Sequence, residues 1–131
     1  MELKIDIQPK KTYLYMRITG TYNLHKAKEL FKDTVDAADK FGLYNILVDY
    51  REIKGSASTM QFYEYAKYVS ELMDDRIYKK LPWLRFAYVG SSPFFDPSGF
   101  GETVAVNRGV MVIDTDNLET AMEWLQVESE D

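Results

Sequence analysis

A chain of 131 residues with 46% hydrophobic and 15% aromatic residues, 4 Pro and 7 Gly has the composition of one packed domain over 1–131, which excludes disordered and collagen-like classes. Sixteen Lys and Arg against 21 Asp and Glu leave a formal charge of -5, so nucleic acid and anionic membrane surfaces are disfavoured as partners. The absence of cysteine removes disulfides, thiolate nucleophiles and Cys-ligated metals.

The chain opens Met1-Glu2-Leu3-Lys4-Ile5-Asp6, where charge alternates with apolar residues, unlike the continuous apolar segment of a secretory signal. No stretch approaches the ~20 apolar residues of a membrane span, and a cytoplasmic protein is expected. Leu3, Ile5 and Ile7 alternate with polar residues. Beyond Pro9-Lys10-Lys11-Thr12, Leu14, Met16 and Ile18 alternate with Tyr13, Tyr15 and Arg17. The pattern predicts a β-hairpin with one wet face.

From Asn23 the period changes. Leu24, Ala27, Leu30, Phe31, Thr34, Val35, Ala38 and Phe41 form the apolar stripe of a helix that Gly42 ends. Ile46-Leu47-Val48 is a short apolar run ending at Asp49, as in a strand buried on both faces. After Lys54-Gly55, Ser58-Thr59-Met60-Gln61 reads as a capping box, and Phe62, Tyr65, Ala66, Val69, Leu72 and Met73 keep helical spacing as far as Asp74-Asp75. Leu84–Val89 and Val110–Ile113 read as strands. Between them, Ser91–Gly101 is a Pro/Gly loop carrying Phe94, Phe95 and Phe100, and Glu102–Asn107 a short helix. A last helix is predicted to start at Asp116-x-x-Glu119 and to bury Leu118, Ala121, Met122 and Leu125. The order β-β-α-β-α-β-(α)-β-α predicts an α/β fold with a mixed sheet of four to five strands, an N-terminal antiparallel hairpin and flanking helices.

Tyr13-Leu14-Tyr15-Met16-Arg17-Ile18-Thr19-Gly20, the helix after it, Ile46-Leu47-Val48-Asp49-Tyr50-Arg51 and the closing Leu118–Leu125 helix together resemble the SpoIIAA-like proteins of the STAS superfamily. The resemblance spans about Leu3 to Leu125. It implies a small sheet flanked by helices and the role of a regulatory binding module, as in anti-sigma-factor antagonists. In those antagonists the helix after the third strand opens with an Asp-Ser-x-Gly motif whose Ser is phosphorylated. By this alignment Ser58 is the phosphoacceptor, with Ala57 in the place of the Asp and Met60 in that of the Gly. The kinship of the stand-alone branch with lipid-binding folds implies an apolar ligand or a protein partner.

Few constellations carry chemistry. His25 is the only histidine and falls on the charged helix face with Glu29 and Lys32, so it builds no metal site. Asp49, with Arg51 beside it, is a candidate polar site at a strand end, or simply an Asp–Arg pair. Asp114 and Asp116 are a candidate pair of hard-cation ligands, although Asp116 already explains a helix start. The segments Val89-Gly90-Ser91-Ser92 and Gly99-x-Gly101 lack the context of a phosphate loop. No nucleophile, base and orienting group can be assembled, so a non-enzyme without cofactor or metal is expected. The aromatics are the better signal. Tyr63, Tyr68, Trp83, Phe94, Phe95 and Phe100 are the candidate binding residues for a protein partner or a second copy in a homodimer. The alternative is a carrier of a small apolar ligand between helices and sheet, lined by Phe62, Tyr65, Phe94, Phe95 and Phe100.

Overall fold

The computed structural model describes residues 2–74, 84–91 and 111–128. The described residues form strands β1 (Lys4–Pro9) and β2 (Leu14–Thr21), helix α1 (Leu24–Phe41), strand β3 (Asn45–Lys54), helix α2 (Thr59–Asp74), strands β4 (Arg85–Val89) and β5 (Val112–Thr115), and helix α3 (Leu118–Leu125). The sheet runs β1-β2-β3-β4-β5. β1 is antiparallel to β2, and the other neighbours pair in parallel. The α/β class, the hairpin and the element order are as predicted. The short helix expected over Glu102–Asn107 lies outside the described residues.

The sheet's two faces bury two clusters. Leu14, Met16, Ile46, Val48 and Phe86 pack with Phe31, Val35 and Ala38 of α1 and Ala66 and Val69 of α2. On the other face, Tyr13, Leu47, Ala87 and Val89 pack with Ala121 and Leu125 of α3. The alternate residues of one strand therefore feed both cores, because successive side chains point to opposite faces. The wet hairpin face is found at Lys4, Asp6 and Arg17, which are exposed, but not at Tyr13, which is 4% exposed because it packs in the α3 cluster. Arg85 ties α3 to the sheet, with Nη2 donating to the Trp124 carbonyl at 2.5 Å and the guanidinium 4.4 Å from the indole centre.

Helix α1 follows its stripe between two local signals. The Asn23 side chain accepts from the Lys26 N–H, and Gly42 takes the left-handed conformation at φ 64, its N–H donated to the Ala38 carbonyl, a conformation costly for residues with a Cβ. Phe41 departs from the stripe. It is 42% exposed under the Lys40 ammonium, because the helix ends one turn beyond its buried Ala37 and Ala38. Three boundaries also move. β3 does not stop at Asp49 but runs on to Lys54, since β2, past a register shift after Arg17, supplies Thr19, Gly20 and Thr21 as partners. β5 lies at Val112–Thr115 rather than Val110–Ile113, because Phe86 to Val89 pair with those four residues. The cap of α3 is Asn117 rather than Asp116: its side chain accepts from the Thr120 N–H.

Candidate functional site

Helices α1 and α2 leave a cavity of about 140 Å³ against the sheet. Its wall is apolar over most of its extent, with Leu30 and Phe31 from α1, Phe62, Ala66 and Val69 from α2, and Val48 and Val112 from the sheet. Four tyrosines and one carboxylate interrupt it: Tyr22, Tyr50, Tyr65, Tyr88 and Asp114. Tyr88 and Asp114 are direct register partners on β4 and β5, so their side chains stand next to each other on the helix-covered face. The Tyr50 hydroxyl donates to Asp114 Oδ1 at 2.6 Å, and the Tyr65 and Tyr88 hydroxyl oxygens are 2.8 Å apart. The rings hold this order, with Tyr50 on Tyr88 and Tyr88 on Tyr65 in edge contacts at 6.3 Å.

Burial sets the titration of these phenols. It pushes Tyr22 up to about 12. It pushes Tyr65 and Tyr88 higher still, with the Asp114 charge adding to the shift of both. All remain neutral donors at any ordinary pH.

The opposite face carries the polar cluster that the sequence pointed to. Asp49 is 5% exposed and accepts four hydrogen bonds: from the Arg51 N–H at 3.1 Å, Arg51 Nε at 2.9 Å, Arg51 Nη2 at 2.7 Å and the Tyr15 hydroxyl at 2.7 Å. Burial by itself would raise this carboxyl, but the bonds from Arg51 and Tyr15 outweigh it and hold Asp49 below the ordinary carboxylate range. Tyr15 in turn is pushed up to about 12 by its own burial and by Asp49. The Ser91 hydroxyl donates to the Arg51 carbonyl at 3.0 Å, and Arg17 Nε to Glu52 at 2.6 Å. Asp49 is inside β3 rather than at its end, and the pair with Arg51 forms because residues i and i+2 of a strand share a face.

At the start of α2 the capping box is complete. The Gln61 N–H is donated to Ser58 Oγ at 3.1 Å, and the Ser58 N–H to Gln61 Oε1 at 2.8 Å. Ser58 is exposed, and Met60 beside it is 66% exposed. Further along, Tyr63 is half-buried. Tyr68 packs on the first core cluster, with Lys28 of α1 5.6 Å from its ring centre, so it joins the two helices. Trp83, Phe94, Phe95 and Phe100 lie outside the described residues. His25 stands at the surface with Nε2 3.3 Å from Glu29.

Asp114 lines the cavity, while Asp116 is exposed beyond the strand end. Among the described residues no group of three His, Asp or Glu could hold a metal ion, and no helix is long and apolar enough to cross a membrane. Phe62 and Tyr65 line the cavity as predicted. Sequence reasoning missed Tyr22, Tyr50 and Tyr88 and considered Asp114 only as a cation ligand, not as part of the cavity wall. The available signal was period two: Tyr88 follows Phe86, and Asp114 follows Val112, on the same strand faces.

No family model and no curated protein matches the chain. Solved structures do. An anti-sigma factor antagonist from Mycobacterium paratuberculosis superposes with a TM-score of 0.60 at 9% identity, covering 95% of each chain. An uncharacterized protein of the DUF3478 family with a SpoIIAA-like fold, from Shewanella loihica, gives 0.52 at 16% identity, covering 94% of this chain and 93% of that one. The anti-sigma factor antagonist SpoIIAA in its unphosphorylated form gives 0.51 at 8% identity, covering 98% and 100%.

Proposed function

We propose that this chain, which has the SpoIIAA-like fold, is a regulatory protein-interaction module rather than an enzyme, acting in the cytoplasm on a protein partner or a second copy of itself. The observation that carries this reading is the likeness, over 95% of both chains, to a protein described as an anti-sigma factor antagonist. That description is of action on other proteins. Asp49 supports the non-enzymatic side of the reading: its four hydrogen bonds all come from Arg51 and Tyr15, the arrangement of a structural ion pair.

The first turn of α2 is the contact surface of this proposal. Ser58 is exposed at a helix N-terminus, where a phosphate is favoured by the helix dipole, and Met60 projects beside it. Tyr63 on the same helix extends that surface. For self-association the helix faces suit better than the β1 edge, because Lys4, Asp6 and Pro9 on β1 are the residue types that protect sheet edges from pairing. Affinity capture with wild-type protein and a Met60→Asp variant tests the reading. One protein should be retained in stoichiometric amount by the wild type and lost with the variant. Native mass spectrometry should give the mass of two chains. Identical capture by both proteins, together with a monomer mass, overturns the proposal.

A second reading, a carrier of a small apolar ligand, is favoured by one separate observation, the cavity between α1, α2 and the sheet.

A further inference from the structure

The cavity between α1, α2 and the sheet is bordered by rings that touch one another. Tyr50 of β3 meets Tyr88 of β4, Tyr88 meets Tyr65 of α2, and Tyr65 meets Phe31 of α1. Their ring centres are 6.3, 6.3 and 6.2 Å apart and their planes cross at 63°, 85° and 84°. All four residues line the cavity, and Phe62 of α2 adds another ring. One run of edge contacts thus joins two strands and both helices.

An edge contact is favourable because the electropositive rim of one ring meets the electronegative face of the next. Rings that border a cavity present the same rims and faces to its occupant. The wall therefore favours an aromatic occupant over a saturated one of similar size.

The polar groups of the wall point the same way. Tyr50 donates to Asp114 Oδ1, Tyr65 and Tyr88 share a hydrogen bond, and Tyr22, Tyr50 and Asp114 each have a further interaction within the protein. A ligand group that bonded to them would compete with contacts already made, whereas an apolar ring leaves those contacts in place. An ion of either sign would lose its hydration against Leu30, Val69 and Val112.

Volume narrows the occupant further. About 140 Å³ is close to the ~150 Å³ apolar cavity that accommodates benzene, and well under the roughly 300–1,000 Å³ of sites for drug-sized ligands. A single ring fits, and a long acyl chain does not.

We propose that the cavity binds an uncharged aromatic molecule of single-ring size without a hydrogen-bonding group, held by edge and face contacts with the tyrosine and phenylalanine rings of the wall. This assignment rests on the carrier reading and gives it a ligand class.

The test is titration of the full chain with benzene, cyclohexane, phenol and benzoate. Binding is read from shifts of the tyrosine resonances and from the rise in unfolding temperature that a ligand of the native state causes. Benzene should bind roughly threefold to tenfold more tightly than cyclohexane, the margin that aromatic pairs hold beyond their buried area. Phenol should bind no more tightly than benzene, and benzoate should not bind. Phe62→Leu keeps the wall apolar but removes one ring, so it should lower the benzene-to-cyclohexane ratio. Ala27→Leu, which fills the cavity from α1 with a good helix former, should remove benzene binding. A cooperative unfolding transition shows that each variant is folded, and the wild-type ratio decides the assignment even where a variant is not. Cyclohexane binding as tight as that of benzene, a preference for phenol, an unchanged ratio in folded Phe62→Leu, or benzene binding that survives in folded Ala27→Leu overturns the aromatic assignment. Cyclohexane binding that Ala27→Leu removes still supports a carrier. Failure of all four probes to bind overturns the assignment and the carrier reading together.

Discussion

The ring of Tyr50 lies where a side chain of residue 90 would be: a Cβ built on Gly90 would come within 2.1 Å of Tyr50 Cζ. Gly90 follows β4 directly and donates its N–H to the Thr115 carbonyl at 3.0 Å, so its backbone cannot retreat without breaking the β4–β5 ladder. The absence of a side chain there lets Tyr50 cross the strand end and reach Asp114. Gly90→Ala should therefore displace the ring and destabilise the fold by about 1–3 kcal/mol, the usual range for overpacking. In a Tyr50→Ala background the same substitution should be close to neutral. Urea unfolding of the two single variants and the double variant measures this coupling. Additive effects would show that the contact is not what constrains residue 90.

Asp49 gives a prediction with a sign in pH. A carboxyl held below its ordinary value of 3.8 contributes stability that is fully present above that value and is lost as the pH falls through the lower folded-state value. Asp49→Asn should cost about 1–3 kcal/mol at neutral pH, since one partner of a buried hydrogen-bonded set is weakened. Arg51 is half in solvent and stays hydrated, which keeps the loss below that of a fully buried pair. As the pH falls below 3.8 and through that lower folded-state value, the wild type and the variant should converge in urea unfolding. A constant gap down to low pH would remove Asp49 from the acid limb.

Local signals with one strong mechanism were readable from the chain. The Ser58–Gln61 capping box, the Gly42 stop and the α1 stripe each follow from short-range geometry, and each is found where the spacing places it. Strand limits were not readable in the same way. β3 continues past Asp49 because β2 offers it partners far away in sequence, and β5 shifts by two residues because β4 fixes its register. The Asp49–Arg51 pair was legible as two charges spaced by one residue. The cavity was only half legible: Phe62 and Tyr65 lie on one helix stripe, whereas Tyr50, Tyr88 and Asp114 come from three strands that only the tertiary pairing brings together.

Two caps make opposite predictions about neighbouring residues. Asn117→Ala should cost about 1 kcal/mol, because its side chain satisfies the Thr120 N–H. Asp116→Ala should stay within about 0.5 kcal/mol, as an exposed residue outside the cap. At α2, Ser58→Ala should cost about 1 kcal/mol, while Ser58→Asp should be near neutral, because Asp caps as well as Ser and suits the positive helix end. Thermal unfolding of the four variants checks the ranking. If Ser58→Asp also leaves the unfolding transition in place but changes partner capture, the role of Ser58 in binding separates from its role as a cap.

The buried phenols predict an alkaline limit to stability. Tyr15 and Tyr22 are raised from 10.0 to about 12, and Tyr65 and Tyr88 are raised as well. Below the unfolded value, both states hold the proton and the contribution is complete. Between 10 and about 12 the unfolded chain releases protons that the fold retains, so stability falls as the pH rises through this window. Tyr88→Phe removes one of these protons along with one hydroxyl of the cavity pair. It should lose about 1 kcal/mol at neutral pH, the net value of a typical hydrogen bond, and show a shallower decline above pH 10. Urea unfolding across the alkaline range, with tyrosinate absorbance followed in the native baseline, measures both quantities. Native-state tyrosinate appearing in full near pH 10 would mean that the packing between α1, α2 and the sheet does not hold the protons of these hydroxyls.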